Sequence, residues 1–211
     1  MKFPLHNATS RLLRGLKGIE LGASAHNPFG VDAINVAPAL PTEAQFDDAQ
    51  VELCGEIAPV DLRGHAADIP VPDESQDFVL SSHVLEHAPD LIGAFVEMDR
   101  VVKPGGYIII IFPQPGALKG DNRPLSTIGD LWFAHICQWT FDTAPENAAF
   151  GGSGGHYWKM RCDQFISLVN GLYECRPVPG WPGLKWRMMG CEDPDSKVGN
   201  GFWLAYQKEK S

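Results

Sequence analysis

The chain has 211 residues, which suffice for one sizeable core but not for two domains of ordinary size. Its hydrophobic fraction of 44% and charged fraction of 20% are typical of a globular protein, and it has no apolar run of the roughly 20 residues that a bilayer span needs. Lys and Arg total 17 against 26 for Asp and Glu, and this net charge of -9 argues against a nucleic-acid partner.

The N-terminal half alternates short apolar runs with helix-like segments. Strands are predicted over residues 19–22, 31–36, 59–62, 77–81 and 107–112, and helices over 9–16, 42–53 and 89–102. The helix that begins at Pro89-Asp90 has the clearest periodicity, and Lys103-Pro104-Gly105-Gly106 is predicted to stop it. Strands that alternate with helices favour a doubly wound, mostly parallel α/β sheet, whose ligands bind at the carboxyl ends of the strands.

The pattern changes after about residue 113. Helices are predicted over 125–137 and 158–170, and strands over 172–178 and 201–207, with a loop that holds Trp181 and Trp186 between the two strands. Residues 143–155 are rich in Ala and Gly, which indicates either a mobile lid or a plain surface loop. We expect one domain over 1–211, with a cofactor-binding half at 1–113 and a substrate-side half at 114–211.

Three linked motifs lie in the N-terminal half. Residues 69–79 read I-P-V-P-D-E-S-Q-D-F-V, residues 81–87 read S-S-H-V-L-E-H, and residues 100–106 read R-V-V-K-P-G-G. Together they resemble the methyltransferase type 11 group of class I methyltransferases, in which a strand ends in V-L-E-H and R-V-L-K-P-G-G leads into the next strand. The resemblance covers residues 18–113 and implies a seven-stranded Rossmann-like sheet with S-adenosyl-L-methionine as the cofactor.

The family's first motif, acidic-x-Gly-x-Gly-x-Gly, is only partly kept. Glu20 and Gly22 match it, whereas Ser24 and His26 stand where the later glycines would be. Glycine in this turn lets the backbone approach the cofactor closely. Pro28 excludes an ordinary helix after the turn, so the loop should follow a path of its own. The segment is similar to a subgroup that has G-x-S-A-H-N-P-F here.

Two further cofactor motifs also depart from the family. Asn35 and Ala37 lie where relatives carry an acid for the ribose hydroxyls, and His65 replaces the acid near the adenine amine. Losing the acid at the second motif should weaken cofactor binding by about 1–3 kcal/mol without abolishing it. The resemblance thus implies a cofactor site built from Glu20, Gly22, Ala23, Ser24, Asn35, His65, Ala66, Asp68 and Ser82.

Two histidines are candidates for catalysis. His83 directly follows a strand, where class I enzymes present groups to the methyl donor and acceptor, although a packed structural histidine is the alternative. His156 follows a glycine-rich stretch and could act as a general base, because histidine titrates near neutral pH. His87 is interpreted as an anchor for the loop before Pro89.

The cysteines and the N-terminus bear on metal content and location. The five cysteines are an odd number, widely spaced and without a C-x-x-C pair, which favours reduced thiols. His135 and Cys137 lie close together, but two ligands do not make a zinc site, so no metal is expected. The N-terminus lacks the apolar block of a signal peptide, and we expect a cytoplasmic protein.

The resulting prediction is a methyltransferase that acts on a small molecule or a glycan precursor and requires neither nucleic acid nor a membrane; it could form a homodimer. The first alternative is a catalytically inactive binding or assembly module, which Ser24, His26 and Ala37 would favour. A nicotinamide dehydrogenase is disfavoured because the chain lacks G-x-G-x-x-G.

Overall fold

The computed structural model describes residues 1–38, 43–145, 148–151, 155–174 and 184–210. The strands are β1 (Lys17–Leu21), β2 (Asp32–Ala37), β3 (Leu62–Arg63), β4 (Gln76–Ser82), β5 (Val102–Pro113), β6 (Trp186–Glu192) and β7 (Gly201–Lys208). The helices are α1 (Asn7–Leu12), α2 (Glu43–Cys54), α3 (Leu91–Val101), α4 (Ile128–Ile136) and α5 (Cys162–Glu174). A single 3-10 turn covers Leu85–His87.

The seven strands form one sheet in the order β3-β2-β1-β4-β5-β7-β6. The first five strands pair in parallel, and β7 runs antiparallel to both β5 and β6. This arrangement confirms the predicted doubly wound, mostly parallel α/β sheet. The strand order reverses between β1 and β4, and such a switch point places a crevice at the carboxyl ends of the strands.

Local sequence explains the β4-α3-β5 unit. The Asp90 side chain accepts a hydrogen bond from the backbone N–H of Gly93 and caps α3. Apolar residues at helical spacing bury one side of the helix, namely Leu91, Ala94, Phe95, Met98 and Val101. The helix ends at Val101, one residue before the predicted end, and residues 102–106 already belong to β5 and not to a separate stop.

The connection between β1 and β2 contains no helix, as Pro28 predicts. Residues 22–31 join the two parallel strands as an irregular loop. Phe29 in this loop is buried and packs with Leu13, Phe78 and Trp203 against one face of the sheet. The opposite face carries the larger core, to which α3 and α5 contribute Phe95 and other buried side chains.

Several predicted boundaries shift, and one element was missed. The helix predicted over 125–137 begins at Ile128, because the Thr127 side chain caps it there with Asp130. The segment after residue 184, predicted as a loop, contains strand β6. The strand predicted over 172–178 is wrong for Leu172, which lies in α5; its last residues, 175–178, and Trp181 lie outside the described residues. Among the described helices, none is long and apolar enough to cross a membrane.

Candidate active site

A cavity of about 580 Å³ opens at the carboxyl ends of β1, β2 and β4. Its volume lies within the range of small-molecule sites, about 300–1,000 Å³. Most of the predicted cofactor residues line it, together with His83: Glu20, Gly22, Ala23, Ser24, Asn35, His65, Ala66 and Ser82. The topology therefore brings together three sequence motifs that are far apart along the chain.

The turn after β1 is held by side chains from other elements. Gly22 adopts a left-handed φ of 61°, and a Cβ at this position would lie 2.8 Å from a methyl carbon of Val84. The amide of Ala23 donates to Oδ1 of Asn35 over 2.9 Å, while Nδ2 of Asn35 donates to the carbonyl of Pro59 over 2.8 Å. Asn35 is buried, so its first role in the structure is to fix the turn.

Gln50 on α2 completes this support. Its side-chain oxygen accepts hydrogen bonds from the backbone amides of Ala25 (2.8 Å) and Ala58 (3.1 Å). Gln50 is almost fully buried, so these bonds form away from solvent. Within the same loop, the Ser24 hydroxyl lies 2.6 Å from Nδ1 of His26. The residues that replace the family's glycines thus bond to one another.

Two charged side chains lie near the turn after β1. Glu20 lines the cavity, and Lys197 lies behind the loop. Burial raises the pKa of Glu20 from 4.5 to about 7, although the charge of Lys197 opposes the change. Burial also lowers the pKa of Lys197 from 10.5 to about 8, against the attraction of Glu20 and Asp195. The Lys197 ammonium donates to the carbonyls of Pro4 and Pro28 over 2.6 and 2.7 Å, so it ties the N-terminal segment to the loop.

His83 stands at the end of β4 in a left-handed conformation, with φ of 55°. Such a backbone is uncommon for a residue other than glycine, and strain of this kind is found preferentially at functional sites. Nε2 of His83 lies 3.0 Å from Oδ1 of Asn200, and Nδ1 lies 3.3 Å from the Ser82 hydroxyl. Burial lowers the pKa of His83, while the bond to Asn200 opposes the change. The imidazole is therefore neutral at pH 7.

Asn27 adds an acceptor that the fold leaves open. Its Nδ2 donates to the Ser82 hydroxyl over 3.2 Å. Its Oδ1 is buried and has no hydrogen-bond partner among the described residues. Because Asn27 lines the cavity, a rotation of its side chain would bring this buried oxygen to a donor on a bound ligand.

The structure places two of the three predicted residues of the third motif in the cavity wall. His65 lines the cavity, and its ring packs edge-on against Phe141 at 6.1 Å. Ala66 also lines it. Asp68 pairs with His65 through backbone hydrogen bonds, but its residue is exposed and does not line the cavity among the described residues. The prediction of Asp68 as a cofactor residue therefore finds no support in its position.

His156 is also displaced from the predicted position. It packs edge-on against His87, with ring centroids 4.6 Å apart, and it is not among the described residues that line the cavity. Burial, together with the charges of His87 and Arg123, lowers its pKa from 6.5 to about 4. A group with this pKa is a weak base, so the structure does not favour His156 as the general base. Beside it, burial raises the pKa of Glu86 to about 8.

Sequence reasoning missed several residues of the cavity. Gln50 on α2 and Asn200 in the loop between β6 and β7 line it, and residues 139–141 form a further part of the wall. Lys197 does not line the cavity but supports the loop after β1 from behind. None of them belongs to a motif of the N-terminal half. A polar residue at a helical position was the only available signal for Gln50, and a single such residue is usually solvated.

The strand order and the cavity together define a Rossmann-like methyltransferase fold. Residues 24–110 match the family model described as a methyltransferase domain, in agreement with the predicted resemblance to the type 11 group of class I methyltransferases. A solved structure of an S-adenosylmethionine-dependent methyltransferase from Methanosarcina mazei shares the fold, with a TM-score of 0.52 and 15% identity over 98% of this chain and 99% of that one.

Curated relatives match shorter stretches. A demethylmenaquinone methyltransferase of Lysinibacillus sphaericus is 34% identical over 62 residues, which are 29% of this chain and 26% of that protein. A protein of Mycolicibacterium smegmatis, named as a probable S-adenosylmethionine-dependent methyltransferase, is 33% identical over 109 residues, 50% of this chain and 42% of that protein. The chain thus spans less than half of these relatives. The matched family model and the named relatives are of the enzyme class that the sequence analysis predicts.

Proposed function

We propose that this chain binds S-adenosyl-L-methionine in the cavity at the carboxyl ends of β1, β2 and β4 and transfers its methyl group to a small molecule or a glycan precursor. The observation that carries the proposal is the convergence of three family motifs on one cavity of about 580 Å³. A chain that had kept only the fold would have no need for an open pocket at this place.

Charge and hydrogen bonding in the cavity suit this cofactor. When bound, it supplies an electrophilic methyl group on a positively charged sulfur. Glu20 is ionised above a pH of about 7 and then provides a negative charge in the wall. Oδ1 of Asn27 can accept a hydrogen bond, and His65 with Phe141 offers flat apolar surface. We assign Ala23, Ser24, Asn35, Ala66 and Ser82 to the same site because they line the cavity.

His83 is our candidate for the acceptor side of the reaction. Its ring lines the cavity and is held between the Ser82 hydroxyl and Asn200. Nε2 carries the proton that it donates to Oδ1 of Asn200, so the neutral ring can take up a proton at Nδ1, beside the Ser82 hydroxyl. That proton is the one that an acceptor hydroxyl or amine loses as its oxygen or nitrogen attacks the methyl carbon. Orientation by two side chains would keep the ring aligned for that transfer.

Calorimetric titration with S-adenosyl-L-methionine tests the proposal. We expect one site per chain. Ala23→Leu, which places a larger side chain in the cavity wall, should weaken binding at least tenfold. Ala49→Leu, at an exposed position on α2, makes the same change outside the cavity and should bind normally. An absence of binding heat up to millimolar cofactor, with the fold intact, would refute the proposed function.

The inactive binding module remains the second candidate, and one observation favours it. The amides of Gly22, Ala23 and Ala25 all donate to groups within the protein, so the turn offers few donors to a ligand. The enzyme and the binding module differ in whether they convert S-adenosyl-L-methionine to S-adenosylhomocysteine. Release of S-adenosylhomocysteine in the presence of pooled hydroxyl and sugar acceptors identifies the enzyme, whereas binding without release from any pool identifies the module.

The remaining sequence predictions stay part of the proposal. They are a cytoplasmic location, a single domain, the absence of a nucleic-acid or membrane partner, and a homodimer as one allowed assembly. Gel filtration with light scattering tests the last of these.

A further inference from the structure

Three side chains beside the cavity form a compact group that the proposed methyl transfer does not use. Glu86, His87 and His156 each offer one ligand atom, and these atoms all lie within 4.8 Å of one another. Oε1 of Glu86 lies 3.9 Å from Nε2 of His87 and 4.0 Å from Nε2 of His156. We name these three residues the Glu86 cluster.

Glu86 is the least expected member of the cluster. Glu86 is 1% exposed, and neither of its carboxylate oxygens has a hydrogen-bond partner among the described residues. Burying a carboxyl group without hydrogen bonds or a counter-charge is costly, and proteins normally avoid it or use it to coordinate metals. The two imidazoles are the nearest groups that could share a cation with it.

His87 is oriented in the way that a ligating histidine usually is, and the backbone of His156 is held in place. Nδ1 of His87 lies 3.2 Å from the carbonyl oxygen of Gly155, and a proton on Nδ1 leaves Nε2 as the atom that faces Glu86. A hydrogen bond from the second ring nitrogen to a carbonyl is the usual support of a ligating histidine. The backbone of His156 is fixed by two hydrogen bonds with Phe150.

The backbone also ties the two halves of the cluster together. The carbonyl of Glu86 accepts hydrogen bonds from the amides of Tyr157 (2.7 Å) and Trp158 (3.4 Å). The indole N–H of Trp158 donates to the carbonyl of Ala88 over 2.6 Å. These bonds hold the segment after β4 against residues 156–158, so the three ligand atoms are placed by rigid neighbours.

We propose that the Glu86 cluster binds a divalent transition-metal ion of the zinc type through the Glu86 carboxylate and Nε2 of His87 and His156. Two imidazoles and one carboxylate are a donor set that suits Zn²⁺ and similar ions, whereas Mg²⁺ prefers oxygen ligands alone. Ligands at about 2.1 Å from a tetrahedral ion stand roughly 3.4 Å apart, so the observed distances need only small shifts to close on an ion.

The sequence alone predicts no metal, whereas the structure brings three possible ligands together. The sequence hides the site because only Glu86 and His87 are adjacent, while His156 is far along the chain. Three protein ligands also leave a coordination position open. His87 lines the cavity, so an ion in the cluster would lie at its edge. There the ion could bind the oxygen of an acceptor hydroxyl and lower the pKa of that hydroxyl. This role rests on the proposed function, whereas the metal site itself does not.

Metal binding to the full chain, without cofactor, tests the proposal. After treatment with chelator and gel filtration, the protein is titrated with Zn²⁺ by calorimetry and with Co²⁺ by visible absorption. We expect one ion per chain, a cobalt spectrum typical of imidazole and carboxylate ligands, and no comparable binding of Mg²⁺. Glu86→Gln and His156→Ala should each weaken Zn²⁺ binding at least tenfold.

The controls separate this proposal from folding and from methyl transfer. His65→Ala removes an imidazole from the same cavity but outside the cluster and should retain Zn²⁺ affinity. Circular dichroism and thermal melts establish that each variant is folded. Because there are two cluster variants, the test still stands if one of them does not fold. Failure of the wild-type protein to bind Zn²⁺, or equal affinity in the folded cluster variants, overturns the metal site. Binding of S-adenosyl-L-methionine is measured separately, so the two proposals fail independently.

Discussion

Removing the buried charge of Glu20 should stabilise the protein, and the gain should grow with pH. The folded protein raises the pKa of this carboxyl from 4.5 to about 7 because burial disfavours the ionised form. A group with a raised folded pKa contributes stability that is complete below the unfolded pKa and is lost as the pH rises through the folded pKa. The side chain introduced by Glu20→Gln cannot ionise, so this variant does not lose stability as the pH rises through the folded pKa.

The magnitude follows from the two pKa values. Between pH 5 and pH 7 the unfolded carboxyl is largely ionised, while the folded one is mainly protonated until the pH approaches 7. Integration over this window gives a loss of about 2 kcal/mol for the wild-type protein and none for Glu20→Gln. Lys197, with a pKa of about 8, stays largely protonated over this range and contributes little to the slope.

Urea denaturation of both proteins at pH 5, 6 and 7 measures the difference directly. The variant should gain about 2 kcal/mol relative to the wild-type protein between the two ends of the window. Glu52→Gln removes an exposed carboxyl on α2 and controls for the loss of one negative charge. A difference between Glu20→Gln and the wild-type protein that stays constant from pH 5 to pH 7 would refute the reasoning that burial perturbs Glu20.

Two further predictions concern the turn after β1. Gln50→Met keeps the size of the side chain but leaves two backbone amides without their acceptor; it should lower the free energy of unfolding by about 2–4 kcal/mol, and a urea midpoint equal to that of the wild-type protein would contradict this. Gly22→Ala adds a methyl group 2.8 Å from Val84 at a left-handed φ; thermal melts should show a loss of about 1–3 kcal/mol, whereas Gly171→Ala, with open space around its Cα, should not lose stability in this way.

The fold could be predicted where the pattern of burial is simple. Strand β5 is buried on both faces, so its unbroken apolar run is visible in the sequence. Strand β6 was missed because it lies at the edge of the sheet and buries only Trp186 fully, and a register shift falls between Met188 and Gly190. An edge strand of this kind lacks the alternation by which a strand is recognised.

The site could be predicted only where its residues belong to motifs. Glu20 and Ser82 lie at the carboxyl ends of β1 and β4, and Gly22 directly follows β1; the topology of a parallel sheet brings such residues to one edge. Asn200 reaches the same place from a loop between antiparallel strands, which no local pattern reveals. The sequence also could not show that a predicted cofactor residue such as Asn35 is already occupied by hydrogen bonds within the protein.

The loop after β1 takes its shape from outside itself. In relatives a run of glycines would allow such a turn to form on its own, but here Asn35 and Gln50 impose it through the amides of Ala23 and Ala25. The segment is therefore not a portable motif. Grafting residues 22–30 onto a methyltransferase that has the run of glycines should fail to reproduce this loop unless both supporting side chains are transplanted with it. The loop and the two side chains should vary together among relatives that share the loop.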